Sequence, residues 1–342
     1  SDNEYQTFIS GLYENIVQIN DATTIMPWLG WVFTTPVKPV LMQQGEGYPL
    51  VFVHGTQGSG KTSTGKMIAR LVGYKDPEPK SCTQSHFAML KMLSSTNAIP
   101  IIMDEFKLSD MKDDEADSLK RFMRKSYAGE VESKGRADQT VVDYLLSAPL
   151  TVMGEWSISQ PALNERIILV EFKDTVKKNT DMQNAFRKVW DLPLEAFMPR
   201  YIEYILQQDI MALYCAAKTI VKSHFQGKAI APRILNNLSV MVLGIELFKQ
   251  YGMHCGVTVP EIDINQLLEH ELKAITGTVT GFVRSAVDQL IEELGVMASR
   301  KDIEQDVDYK ITQIGIRKIL AIRFNKIYPA FKEYARRTQY EG

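Results

Sequence analysis

Residues 55–62 read Gly-Thr-Gln-Gly-Ser-Gly-Lys-Thr, three glycines followed by an ammonium and a hydroxyl. Glycines at this spacing let successive backbone N–H groups turn inward, in conformations that a side chain would block. Such a nest attracts an anion. Lys61 adds a point charge for the outer phosphates and Thr62 a hydroxyl suited to Mg²⁺. Gly55, Thr56, Gln57, Gly58, Ser59, Gly60, Lys61 and Thr62 therefore predict a loop that cradles the phosphates of a Mg²⁺-bound nucleotide. The context agrees, with an apolar strand pattern at 49–54 and helical spacing of Met67, Ile68, Leu71 and Val72 after it. A helix starting there points its positive end at the same anion.

Two further groups belong to this chemistry. Asp104 and Glu105 end the apolar run 99–103, which carries them to the edge of a sheet where ligands bind. Asp104 is expected to hold Mg²⁺ and Glu105 to polarise the attacking water. Arg166 closes Gln-Pro-Ala-Leu-Asn-Glu-Arg at the opening of a strand, placed to reach a γ-phosphate held by a neighbouring subunit. Lys61, Asp104, Glu105 and Arg166 form the expected catalytic set. Glu155 or Ser157, after the run 149–153, is expected to sense the γ-phosphate. Arg187, Arg200 and Arg233 are equal candidates for a second sensor.

The elements that must position these groups follow from the pattern. Up to about residue 175, short β-branched runs alternate with helical spacing, which indicates a mostly parallel sheet covered on both faces. Beyond it nearly everything reads as helix: 181–190, 195–208, 210–225, 232–251 and 264–294, with a basic helix at 316–324. The division predicted is an N-terminal helical or irregular segment (1–45), a P-loop core (46–178), a helical domain (179–300) and a small C-terminal region (301–342), read as winged-helix-like. Residues 130–144 read as a hairpin around Lys134 and Arg136.

The bulk properties set limits. The 342 residues are 45% hydrophobic and 23% charged with a net charge of −2, ordinary values for a globular chain that is not coated in basic charge. Cys82, Cys215 and Cys255 lie far apart, so reduced thiols in the cytoplasm are expected, with neither a disulfide framework nor a zinc site. The first residues are polar and acidic, unlike a signal peptide. The longest apolar stretch, 238–245, is far short of the ~20 residues a bilayer requires. His54 reads as a packing residue, and the other four histidines lack ligand spacing.

Assembled, these segments resemble the helicase-like ATPase modules of the AAA+ and superfamily III type, above all the motor parts of phage, plasmid and integrative-element primase–helicases. The resembling tokens are 54–62, 97–105, 148–155 and 161–166, within residues 51–172. At the sensor position an AAA+ ATPase usually offers asparagine, where this chain has Glu155 or Ser157. The resemblance implies an α/β P-loop NTPase with a C-terminal helical region, ATP and Mg²⁺ as ligands, and a ring, taken as a hexamer, that moves on single-stranded DNA. It also implies a fused or associated primase or polymerase domain, and a channel hairpin at Lys134 and Arg136. A phosphate backbone would reward both cations regardless of sequence. Against that, Glu130, Glu132 and Asp138 nearly cancel the charge, and Lys120, Arg121, Arg124 and Lys125 read as a salt-bridged solvent face. An AAA+-type protein remodeller or nucleotide-dependent switch would use the same ATP site.

Overall fold

The computed structural model describes residues 2–107, 111, 113–135, 140–155, 161–277, 286–314 and 317–338. The chain begins with helices α1 (Asp2–Asn15), α2 (Ala22–Thr34) and α3 (Lys38–Met42). It continues through β1 (Leu50–Gly55), α4 (Lys61–Leu71), β2 (Lys80–Ser81), α5 (His86–Leu93), β3 (Ile101–Phe106) and α6 (Asp113–Ala128). A hairpin of β4 (Val131–Gly135) and β5 (Val141–Leu145) precedes β6 (Leu150–Gly154), the short α7 (Pro161–Asn164) and β7 (Ile167–Phe172). Helices α8 (Thr180–Trp190), α9 (Phe197–Ile205), α10 (Ile210–His224), α11 (Pro232–His254), α12 (Ile264–Thr276) and α13 (Ala286–Ser299) follow. A second hairpin, β8 (Tyr309–Ile314) and β9 (Arg317–Ile322), leads into α14 (Phe324–Thr338).

Strands β2-β3-β6-β1-β7 form one sheet in that order, and every pairing is parallel. Their two-residue alternation divides the core. Val51 and Val53 join Ile102, Met153, Ile168 and Val170 on the face covered by α2, α4 and α11, whereas Leu50 and Phe52 join Met103, Leu150 and Val152 under α5 and α6. Burial of each such side chain contributes about 1.5–3 kcal/mol. Parallel register brings the C-terminal ends of β1, β3 and β6 to one edge, with His54 opposite Gly154. β6 lies between the loop strand and the strand that carries Asp104.

Helix α2 is apolar on all sides and is buried from Thr24 to Thr34. It crosses α11 where Gly30 meets Gly244, so closely that a Cβ on Gly244 would lie 1.6 Å from the Gly30 carbonyl oxygen. Trp31 donates its indole N–H to the Pro49 carbonyl at 2.6 Å, fixing α2 to the entry of β1. Arg70, in the last turn of α4, ties the loop helix to the helical region. It donates to the carbonyls of Trp190 (2.5 Å) and Leu192 (3.0 Å) and pairs with Glu195 at 2.6 Å.

Three expectations need correction. The run 264–294 is not one helix, because α12 stops at Gly277, whose φ of 72° places it in the left-handed region. Residues 317–322 form strand β9 and not part of a basic helix, paired antiparallel from Arg317↔Ile314 to Ile322↔Tyr309. Its Ile-Leu-Ala-Ile core suits either period, and pairing with β8 decides it. Strand β3 also extends past Met103 to include both acids.

Candidate functional site

Gly60 is the residue before α4 and has a φ of 99°, while Gly58 has 74°. A residue with a Cβ would pay about 1–2 kcal/mol for that left-handed conformation. Lys61 is buried inside the curl and donates to the carbonyls of Gly55 (2.6 Å) and Thr56 (2.9 Å). Burial lowers its pKa, while the carboxylates of Glu155 and Asp104 act in the opposite sense. Glu155, one residue beyond β6, thus lies in the electrostatic field of the loop lysine.

Thr62 Oγ1 donates to Asp104 Oδ2 at 2.6 Å. The other Asp104 oxygen accepts the Glu105 N–H at 2.8 Å, and the Asp104 carbonyl accepts the Cys82 N–H at 3.0 Å beside β2. Between Met103 and Phe106 the β3–β6 register slips, and exposed Glu105 has a φ of 65°. A bulge breaks the pleat's alternation, so it, and not strand periodicity, sets the directions of Asp104 and Glu105. Holding a glutamate there costs about 1–3 kcal/mol.

The outer flank of the loop is braced by the segment after β7. The Thr56 hydroxyl bonds Asp174, and Lys177 donates to the Gln57 carbonyl at 2.8 Å while pairing with Asp174 at 3.0 Å. Sequence reading missed these residues, since a lysine pair after a strand carries no motif. It also missed a cavity of about 210 Å³ between Ser59, Gly60 and Ser63 on one side and Asn20, Phe186 and Arg187 on the other. That volume is below the roughly 300–1,000 Å³ of a whole small-ligand pocket, so it suits one part of a nucleotide. The Ser59 hydroxyl is buried with no hydrogen-bond partner among the described residues, as expected of a group placed for a ligand.

The three second-sensor candidates separate. Arg187 lines the cavity, Arg200 pairs with Asp2 at 3.1 Å over the Tyr5 ring, and Arg233 pairs with Glu165 at 3.2 Å. Arg166 does not meet the loop of its own chain. It stands at the opposite end of the strands, where its carbonyl accepts the Leu50 N–H, and six residues of strand span about 20 Å. Its guanidinium bonds the Ala162 carbonyl and lies over the Tyr127 ring at 5.6 Å. Burial and the nearby charge of Arg233 lower its pKa.

Lys134 lies over the Phe87 ring at 4.3 Å, and Phe87 meets Tyr144 edge-on at 6.3 Å. Lys91 approaches both rings. Glu132 is held below the usual carboxylate range, burial raising it while Lys125, Arg121 and His86 more than offset that. Lys125 reaches it at 2.6 Å and Arg121 at 3.5 Å, so those α6 cations are ion-paired, as expected. Lys134 is thus a cation seated on aromatics. Arg136 and Ser157 lie outside the described residues.

Among the described residues no group of three or more histidines, cysteines and carboxylates is placed to hold a metal. The Thr62 hydroxyl and the Asp104 carboxylate nevertheless fit Mg²⁺, which is bound through one or two carboxylates plus substrate phosphates and water.

No protein-family model matches the sequence, and no curated protein is significantly similar to it. Among solved structures the chain is similar to one described as SCCmec type IV Cch, an active helicase. The TM-score is 0.57 at 15% identity, covering 97% of this chain and 63% of the other, so this chain spans less than two thirds of that relative. Two others are too distant to bear on the fold. They are a JCV helicase bound to a thiazolopyridine compound (TM-score 0.35, 12% identity, 79% and 65% covered) and the apo C-terminal region of NrS-1 (0.27, 11%, 94% and 74%). The parallel sheet, glycine loop and following helix define a P-loop NTPase fold with a helical region after the core, shared with the Cch helicase. Among the described residues no helix is long and apolar enough to cross a membrane.

Proposed function

We propose that the protein is an ATP-hydrolysing nucleic-acid motor, the helicase module of a cytoplasmic replication protein, working as a hexameric ring on single-stranded DNA. The observation that carries this reading is the 2.6 Å contact of Thr62 with Asp104, beside the buried Lys61 and one residue from Glu105. A hydroxyl and a carboxylate so joined at the mouth of a glycine loop suit Mg²⁺ and a triphosphate. The backbone of Gly55, Thr56, Gln57, Gly58, Ser59 and Gly60, with Lys61, holds the phosphates. Thr62 and Asp104 hold Mg²⁺, which when bound neutralises phosphate charge. Glu105 orients the attacking water and takes its proton, and Glu155 senses the γ-phosphate. The base and ribose lie toward Asn20 and Phe186, with Arg187 reaching the phosphates from the helical region.

Arg166 supports a shared site. An arginine on the far edge from its own loop would, as a finger, act on a neighbour's γ-phosphate and not on its own. Lys134 and Phe87 supply a cation and a ring for the strand, and Arg136 is proposed from the sequence as a further strand-binding cation. A primase or polymerase domain, fused or associated, is proposed on sequence resemblance alone.

The test is ATP hydrolysis at low salt with and without single-stranded DNA. Stimulation by the strand, abolished by Asp104→Ala, is the expected result. Hydrolysis indifferent to DNA would point to a protein remodeller, and nucleotide binding without turnover to a switch.

A further inference from the structure

The most basic part of the chain lies outside the ATPase site. Residues 309–338 contain eight lysines and arginines and one acid, Glu333, in a protein of net charge −2. The apolar side of α14 is already used, since Ile327 and Tyr334 pack with Leu294, Val296 and Met297. Its other side carries Phe324 and Tyr328, 57% and 45% exposed, with rings stacked at 5.3 Å and 18°. Lys332 continues the line one turn on, its ammonium 4.7 Å from the centre of the Tyr328 ring. Arg323, Lys326 and Arg336 are exposed on or beside the same helix, and Lys310 on β8. Arg337 is paired with Asp302 at 2.9 Å, but among the described residues Lys310, Arg323, Lys326, Lys332 and Arg336 form no ion pair.

An ordinary solvated helix face interleaves both signs of charge. A membrane-surface helix segregates its aromatics from its cations and keeps the apolar side for lipid. Here the apolar side is buried in protein, the exposed rings share a face with Lys332, and Arg323 and Lys326 are exposed on the turn of chain that carries Phe324. Rings offering π-faces among unpaired positive charges match the two recognition features of a single strand, bases and phosphates. We propose that Arg323, Lys326 and Lys332, with Phe324 and Tyr328, form a second single-stranded nucleic-acid site, distinct from the nucleotide site and from the Lys134 hairpin. It rests on the proposed nucleic-acid role but not on the assignment of any ATPase residue.

The experiment is fluorescence anisotropy of the full chain, without nucleotide, on a labelled oligothymidine across a salt series. The double variant Phe324→Ala/Tyr328→Ala should bind at least about tenfold more weakly. Lys326→Gln/Lys332→Gln should flatten the salt slope by about 1.4. Both should keep the wild-type circular dichroism and DNA-free ATPase rate, because the four side chains are exposed. If the wild type binds the strand and these variants bind it equally well, the second site is wrong while the motor reading stands. If the wild type binds no strand at low salt, the motor reading fails as well. Tighter binding to a duplex or to phosphatidylserine vesicles, lost in the same variants, would overturn the single-strand assignment.

Discussion

Thr62 and Asp104, 42 residues apart in sequence, are joined by a 2.6 Å hydrogen bond between Oγ1 and Oδ2. That contact brings the first turn of α4 against the bulged end of β3, and Glu105 follows at once. The three side chains are expected to divide the work. Thr62→Ala and Asp104→Ala should abolish Mg²⁺-dependent nucleotide retention together with turnover. Glu105→Gln should retain bound ATP while phosphate release falls by about 10²–10⁴-fold, the range for loss of a general base. Nucleotide retained through gel filtration, set beside the rate of phosphate release, separates the two behaviours. A Glu105→Gln protein that turns over near the wild-type rate would remove Glu105 from the mechanism.

Arg166 stands at the far edge of the sheet from the loop, so its effect should appear between subunits. Arg166→Ala and Lys61→Ala are each expected to be inactive, with losses of about 10³–10⁵-fold typical for an arginine finger. Mixing them should restore measurable hydrolysis, because some interfaces then combine an intact loop with an intact arginine. A mixture as inactive as its components, with subunit exchange shown by mass photometry, would place Arg166 outside the site.

How much of this was legible depended on whether the signal was local. The glycine loop declared itself because Gly58 and Gly60 occupy conformations that only their own residue type allows cheaply, and the five core strands' apolar runs differ visibly from helix, with the two-residue β2 the exception. Gly277 was a legible stop that the continuing apolar spacing on either side outweighed. Strand β9 was not legible, since an Ile-Leu-Ala-Ile run fits a buried helix as well and only its partner β8 settles the matter. The bulge at Asp104–Glu105 depends on pairing with β6, and the cavity at Asn20, Phe186 and Arg187 on chain segments more than a hundred residues apart. Such features arise from tertiary packing and leave no pattern in a window of sequence.

Arg70 couples the loop helix to the helical region through Trp190, Leu192 and Glu195. Arg70→Ala leaves two half-buried carbonyls without their donor, worth about 1–3 kcal/mol each where water cannot replace it. Glu195 is held below the usual carboxylate range, chiefly by its hydrogen bond from Arg70. A depressed carboxylate stabilises the fold above its unfolded pKa and loses that contribution as pH falls through the folded value. Urea midpoints should therefore drop in Arg70→Ala at pH 7, with the difference from wild type narrowing in acid. A constant difference down to acid would remove the ion pair from the coupling and leave only the carbonyl bonds.

Glu271 gives the opposite pH dependence. It is fully buried on α12, where Oε2 accepts the Leu169 N–H at 3.2 Å on the otherwise open edge of β7, and Oε1 has no partner among the described residues. Burial raises its pKa from 4.5 to about 8, with the Leu169 hydrogen bond acting the other way. The folded protein then binds a proton that the unfolded chain has released, so stability falls as pH rises from 4.5 toward about 8. Glu271→Gln keeps an acceptor for Leu169 and carries no charge. It should match the wild type near the acid end of that window and melt several degrees higher at its alkaline end, since ~1 kcal/mol corresponds to about 2–4 °C in a domain of 150–250 residues. Thermal melts of both proteins across the window give the comparison. Equal pH slopes would mean that the carboxyl ionises in the folded state as freely as in water, and that α12 covers the sheet edge without holding a proton there.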